Sequence, residues 1–291
     1  MNLGITGATG LIGRSIVHHA LRRGHDVVAF SRNPDRAIPG CTMRKFSLDA
    51  APDIHGCDAI IHLAGEPIIG LWTPAKKRRI VRSREIGTRR VVEAINAQRE
   101  PPEVFICGSA IGIYAAGGES ELTEDAPHGE GFLATTVATW EAAALCAQRT
   151  RVVMLRTAVV LAQEGGALPS LLPLFRIGLG AQMADGRQWM SWIHIEDEAR
   201  LALFAVENME VNGPLNASAP WAVRNVDFTV ALAHVLRRPA FLRLPRFVLR
   251  ALGDLAGEVL DSKRVVPAVA AEHGFPFHFA HLDDALKDLL G

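Results

Sequence analysis

Gly7, Gly10 and Gly13 recur at every third position of TGATGLIG, residues 6–13. At this spacing the first glycine permits a tight turn, the second lets backbone approach a pyrophosphate, and the third lets a helix pack closely on a strand. Thr9, Leu11 and Ile12 complete the loop and open the helix, whose free N–H groups and positive dipole end suit bound phosphates. The chemistry is recognition of a dinucleotide by main-chain amides; a glycine turn without a ligand is the plain alternative. About 20 residues past such a loop, an Asp or Glu would take the ribose hydroxyls of NAD. Ser31 and Arg32 stand there instead. A carboxylate repels a 2′-phosphate, whereas a guanidinium pairs with it through charge-assisted hydrogen bonds. NADP is therefore the expected cofactor, against the alternative of Arg32 as a solvated surface charge.

Other side chains could move a proton. Glu66 follows HLAG at residues 62–65, beside the expected cleft. A raised pKa would make it a general acid; a salt bridge to Arg84 or another helix arginine would make it structural. Tyr114, the one tyrosine, falls on a loop at the carboxyl end of the sheet, where open α/β folds bind ligands. It either reaches a substrate or packs as an aromatic over that loop. Asp197 is expected to cap the helix that follows it, with His194 in the same turn. His18 and His19 lack metal-ligand spacing, and no metal is expected.

These residues need a scaffold, and the pattern around them provides one. Short β-branched runs at residues 2–6, 26–31, 59–63, 104–108 and 151–155 alternate with amphipathic stretches at 11–23 and 74–98. That is the rhythm of βαβ units in a parallel sheet. The expected fold is α/β, a Rossmann-like doubly wound parallel sheet with a smaller, mostly helical C-terminal lobe on the substrate side. Residues 1–217 would form the NADP-binding domain, closing with a short strand at 215–217 and carrying a cap-forming loop at about 163–190. Residues 218–291 would form the small lobe. Its Leu, Val, Ala and Phe content, with turns at Pro239, Pro245 and Pro276, fits a cap over an apolar pocket.

The 291 residues can bury a large core without disulfides. Lys plus Arg equals Asp plus Glu at 31 each, so no net field draws nucleic acid or an anionic membrane. Cys41, Cys57, Cys107 and Cys146 are scattered and form no CxxC pair, so buried free thiols are expected. No apolar run approaches the roughly 20 residues of a membrane span. A cytoplasmic protein with a small-molecule partner is expected.

With TGATGLIG, HLAG, GSA at Gly108 to Ala110, LRT at Leu155 to Thr157 and IHIED at Ile193 to Asp197, the chain resembles the extended short-chain dehydrogenase/reductases. More narrowly, AGEPI, Ser83-Arg84, LTED, WEAAA at Trp140 to Ala144, LLPLFRIGLG and GRQWMSWIHI resemble one atypical group. Its members are labelled epimerase-family proteins, sugar-nucleotide epimerases or, in older usage, SulA-type cell-division inhibitors. The resemblance implies NADP contacts at the glycine loop, at Ser31 and Arg32, and at Leu63, Ala64 and Gly65. It adds Arg84, a cation able to reach the phosphates, and Val160, an apolar wall near the nicotinamide. By the same analogy, paired helices on one face of the sheet would form a homodimer.

The resemblance also exposes what is missing. The superfamily's Tyr-x-x-x-Lys pair uses the lysine to lower the tyrosine pKa for proton exchange with substrate. Tyr114 has Gly118 four positions later, and alignment on Glu141 puts Leu133 and Val137 in the two places. Ser109 retains the place of the serine that polarises a substrate carbonyl, or else satisfies strand-end backbone. The arginine that grips a nucleotide-sugar diphosphate, four residues before the IH histidine, is Met190 here, with Arg187 nearby. Two functions stay open. One is an NADP(H)-dependent oxidoreductase or epimerase acting on a small apolar or carbonyl-bearing substrate through Ser109 and Tyr114 or Glu66. The other is a non-catalytic NADP(H)-binding sensor acting through a partner. Nothing in these residues argues for a cell-division role.

Overall fold

A computed structural model describes residues 1–249, 257 and 260–291. The strands β1 (Asn2–Thr6), β2 (Asp26–Ser31), β3 (Cys41–Lys45), β4 (Ala59–His62), β5 (Val104–Ala110), β6 (Arg151–Thr157) and β7 (Gly213–Ala217) form one sheet. All its pairings are parallel, in the order β7-β6-β5-β4-β1-β2-β3. Central strands such as AIIH of β4 are buried throughout, because helices cover both faces. The strand β3, CTMRK, is the unexpected one: half-exposed and polar, it gives no alternating signal and ends the sheet on a charged edge.

Helices α1 (Leu11–Arg22) and α5 (Ile195–Glu207) share one face of the sheet, with Ile16, Val17, Leu201 and Ala205 in one core. Helices α2 (Pro74–Ala97) and α3 (Phe132–Ala144) share the other, where Val91, Ile95 and Trp140 are buried. The order in which successive strands are added reverses between β1 and β4, so a crevice opens at the carboxyl ends of those parallel strands, directly beside the glycine loop.

A third core holds the smaller lobe together. Leu161, Leu172, Phe175 and Trp192 pack with Phe228 and Leu232 of α6 (Asn225–Val235) and with Leu286 of the last helix, Leu282–Leu290. The helix α4 (Leu168–Arg176), inside the segment expected to be a cap loop, therefore belongs to the same hydrophobic cluster as the tail. Among the described residues no helix is long and apolar enough to cross a membrane. The four cysteines are free, Cys57 and Cys107 buried as expected but Cys146 exposed.

Candidate dinucleotide site

The glycine loop is shaped by contacts that leave two of its glycines no alternative. Gly7 has φ +71°, and a Cβ there would stand 2.9 Å from the Ala64 backbone nitrogen. A Cβ on Gly13 would stand 2.8 Å from Ala8 Cα, so α1 can lie on the β1 loop only because that atom is absent. Gly10 differs. Its backbone is ordinary extended chain, at φ −76° and ψ 174°, and the one atom a Cβ would meet is Gly7 O at 3.1 Å. The protein's own packing does not require glycine there, whereas close approach of a ligand to the backbone does. Gly10 also caps α1 without a side chain, and the first turn carries no acid, so the amides of Leu11, Ile12 and Gly13 are left for an anion. Thr9 is exposed beside them.

Arg32 lies exposed just beyond β2, and the Ser31 hydroxyl accepts the Asn33 amide at 3.2 Å, shaping the turn that presents it. On the other side of the crevice, the Thr6 hydroxyl accepts the amides of Leu63 and Ala64, both at 3.2 Å. With its lone pairs so engaged, Thr6 donates to His62 Nδ1 at 2.6 Å, which fixes the proton of that neutral imidazole on Nε2. Burial holds the His62 pKa down to about 3. Thr6 and His62 thereby set the path of Leu63, Ala64 and Gly65. Both were missed as site residues, although a histidine ending an apolar strand is a signal that it needs a partner.

Arg84 is largely buried, and burial lowers its pKa to about 10. Its guanidinium donates to the carbonyls of Glu66 at 3.0 Å and Ile80 at 3.3 Å, and lies 4.9 Å from the Trp140 ring. A side chain on Gly65 would meet it at 3.5 Å, so the cation sits against the HLAG backbone. Glu66 departs from expectation. Hydrogen bonds from Lys76, at 3.0 Å, and Arg79, at 3.2 Å, hold its carboxyl below the usual range, so it is an ionised partner of α2 and not a general acid. Val160 is buried and its carbonyl accepts the Ala167 amide at 3.3 Å; the hairpin it begins returns through Gly165 and Gly166 onto the Leu11 side chain at the start of α1.

Ser109 and Tyr114 join a buried polar chain. Ser109 donates to Glu141 Oε1 at 2.5 Å. Arg156 grips the same carboxylate with Nε and Nη2, each at 2.9 Å, and its Nη1 donates to the Tyr114 hydroxyl at 2.9 Å. Tyr114 in turn donates to Asn216 Oδ1 at 2.6 Å. Register explains the meeting, since Ser109 pairs with Arg156 and Arg156 with Asn216 across β5, β6 and β7. The phenol is 1 % exposed, and burial pushes its pKa up to about 12. Tyr114 therefore packs inward, and the Ser109 hydrogen is spent on Glu141. Asp197 is also corrected. The cap of α5 is His194, whose Nδ1 accepts the Glu196 amide at 3.1 Å. Asp197 is fully buried instead, accepting Arg200 at 2.6 Å and the amides of His278 and Phe279 at 3.0 and 2.8 Å, which straps the tail to α5.

One buried acid was not foreseen. Glu198 of α5 is wholly enclosed; it accepts the Thr157 hydroxyl at 2.7 Å at the carboxyl end of β6, and its other oxygen has no partner among the described residues. Burial raises its pKa to about 8. The folded protein thus keeps a proton that the unfolded chain releases above its ordinary value of 4.5, so this group costs stability increasingly as pH rises from about 4.5 to about 8. Glu198→Gln, a neutral stand-in for the protonated acid, is expected to raise stability by about 3 kcal/mol at neutral pH. Denaturant unfolding at a series of pH values should show this gain vanish in mild acid; a gain that does not vary with pH would refute the assignment.

Comparison with known proteins places the whole arrangement. Residues 3–218 match the NAD dependent epimerase/dehydratase family, and residues 244–289 match a domain of unknown function, DUF1731. The chain belongs to the NAD dependent epimerase/dehydratase family. It is 37 % identical over 298 residues to the epimerase family protein YfhF of Bacillus subtilis, covering 100 % of this chain and 98 % of that one. It is 36 % identical over 298 residues to the mouse epimerase family protein SDR39U1, with 100 % of each chain covered. Among solved structures, human SDR39U1 with NADPH superimposes with a TM-score of 0.92 at 33 % identity, over 100 % of this chain and 99 % of that one. Within this family the chain is an atypical extended member: Leu133 is half-buried and Val137 buried on α3, and neither can exchange a proton where the dyad would stand.

Proposed function

We propose that this family member binds NADP(H) and that any chemistry at the dinucleotide proceeds without the tyrosine–lysine pair. The amides at the start of α1 would hold the pyrophosphate, Arg32 the 2′-phosphate, and Leu63, Ala64 and Gly65 the nucleotide across the crevice, with Arg84 as a further cation. Since the Leu63 and Ala64 amides already donate to Thr6, the ligand would meet their carbonyls and side chains. Human SDR39U1 was crystallised with NADPH, which supports the same guest here. Bound NADPH supplies a hydride; the residues of this chain orient the carrier.

The observation that carries the reading is the inward commitment of Ser109 and Tyr114 together with the ionised Glu66. It favours a binding role over dyad catalysis. A second reading, an oxidoreductase or epimerase on a small substrate, is favoured by membership of the NAD dependent epimerase/dehydratase family.

One measurement tests the cofactor assignment that both readings share, and a second separates them. Arg32→Glu is expected to weaken NADPH binding about 100-fold while altering NADH binding little, because it replaces a charge-assisted pair with repulsion; equal loss of both cofactors would refute the 2′-phosphate assignment. NADPH absorbance followed with aldehydes, ketones, quinones and sugar nucleotides is expected to show no turnover. Turnover of any of them that survives Ser109→Ala and Tyr114→Phe would instead establish an enzyme that works without those residues.

A further inference from the structure

Outside the crevice, one cleft of about 450 Å³ opens between the loop that follows β5 and the smaller lobe. Arg187, Arg224 and Arg246 line it together with Glu119, Asp185 and Ser262. Three guanidinium groups against two carboxylates leave the wall at +1. Glu119 is already taken, accepting Arg224 Nη2 at 2.5 Å and Trp189 Nε1 at 3.2 Å. Asp185 accepts the Arg187 backbone amide at 3.2 Å. No carboxylate among the described residues pairs with Arg187 or Arg246, both of which are exposed.

The walls are braced. The Trp189 ring lies 4.2 Å from the Arg224 guanidinium and 4.8 Å from that of Arg264, and its amide donates to Ser262 Oγ at 3.1 Å, which donates on to Gly118 O at 3.2 Å. Three segments distant in sequence are thus locked around the opening before any ligand arrives, which reduces the ordering cost of binding. Leu260 is the one large apolar side chain among the described lining residues, so the cleft is polar.

We propose that this cleft binds a small hydroxylated oxyanion, with Arg187 and Arg246 pairing with its carboxylate or phosphate and Gln188 and Asp185 meeting its hydroxyls. Guanidinium forks match either anion. The cleft also shares segments with the dinucleotide site: Glu119 lies on the loop after Ser109, and Gln188 precedes the Trp192–His194 strand, which pairs with Val160. The inference rests on the proposed NADP(H) reading only for what the ligand would lie near.

Calorimetric titration of the NADPH-loaded protein with glucose 6-phosphate, gluconate and glucose tests it. At least one of the two anions should bind, the phosphate and carboxylate arms identifying the headgroup, while glucose should not bind. Affinity should fall about 10-fold in Arg187→Gln and in Arg246→Gln, and further as salt is raised. NADPH affinity should not change in either variant. Binding of neither anion, or equal binding to the Arg187→Gln/Arg246→Gln double variant, would overturn the proposal. Should NADPH itself fail to bind, the same titration of the cofactor-free chain still decides the cleft, so the two failures are distinguishable.

Discussion

Gly10→Val is expected to weaken NADPH binding about 100-fold or more while leaving the thermal midpoint within a few degrees of the parent. The backbone of residue 10 is one that valine adopts readily, and its Cβ would press on a single carbonyl oxygen at 3.1 Å. The branches of valine would instead fill the space before the α1 amides. Losing one or two charge-assisted hydrogen bonds costs about 3 kcal/mol, which is about 100-fold in affinity. Gly13→Val provides the contrast. Its Cβ would collide with Ala8 Cα at 2.8 Å, so it should lower both binding and stability. Calorimetry and thermal unfolding of the two variants separate a ligand requirement from a packing requirement. A Gly10→Val protein that binds NADPH normally would show that the loop cradles nothing.

Arg156→Met should destabilise the fold more than any other single change in the buried network, by about 3 to 5 kcal/mol, because it strands the enclosed Glu141 carboxylate. In a chain of this size that lowers the thermal midpoint by about 10 °C. The double variant Arg156→Met/Glu141→Met should recover a large part of the loss, since a buried ion pair is worth far less than the penalty for breaking it. Tyr114→Phe should cost less, about 2 kcal/mol, the net worth of the two hydrogen bonds its hydroxyl makes. Scanning calorimetry reads all three. An Arg156→Met protein as stable as its parent would mean that this network is hydrated and not the closed structure its distances describe.

How much of this was legible beforehand depended on whether a feature is local. The loop, β1, β2 and the starts of α1 and α2 follow from neighbouring residues: glycine spacing, β-branched runs, and Pro74 after Thr73, whose hydroxyl caps α2 by accepting the Lys76 amide at 3.2 Å. The strand β3 escaped notice because a half-buried edge needs no apolar alternation. Ser109 and Tyr114 read as candidate catalysts because their partners Glu141, Arg156 and Asn216 are remote in sequence and meet only through strand register. A signal was nevertheless present. Glu141 in WEAAA and Arg156 in VVMLRT are charges set in runs that must be buried, and a buried charge demands a partner or a shifted pKa, whereas Glu198, in the charged IEDEAR turn that opens α5, carries no such mark. Asp197 read as a cap because its true partners, Arg200 and the amides of His278 and Phe279, include a segment far down the chain. The polar cleft at Arg187 and Arg246 was hidden for a related reason, since composition averages the lobe's apolar core with its charged rim.

On this account, helix-start amides and Arg32 together select the phosphorylated dinucleotide. Titration of ligand-free protein with NADPH and with NADH in the same buffer tests that selection most directly. One NADPH per chain, bound at least about 10-fold more tightly than NADH, is the result expected from one extra guanidinium–phosphate pair. Equal affinity for the two, or heat from neither, would contradict it.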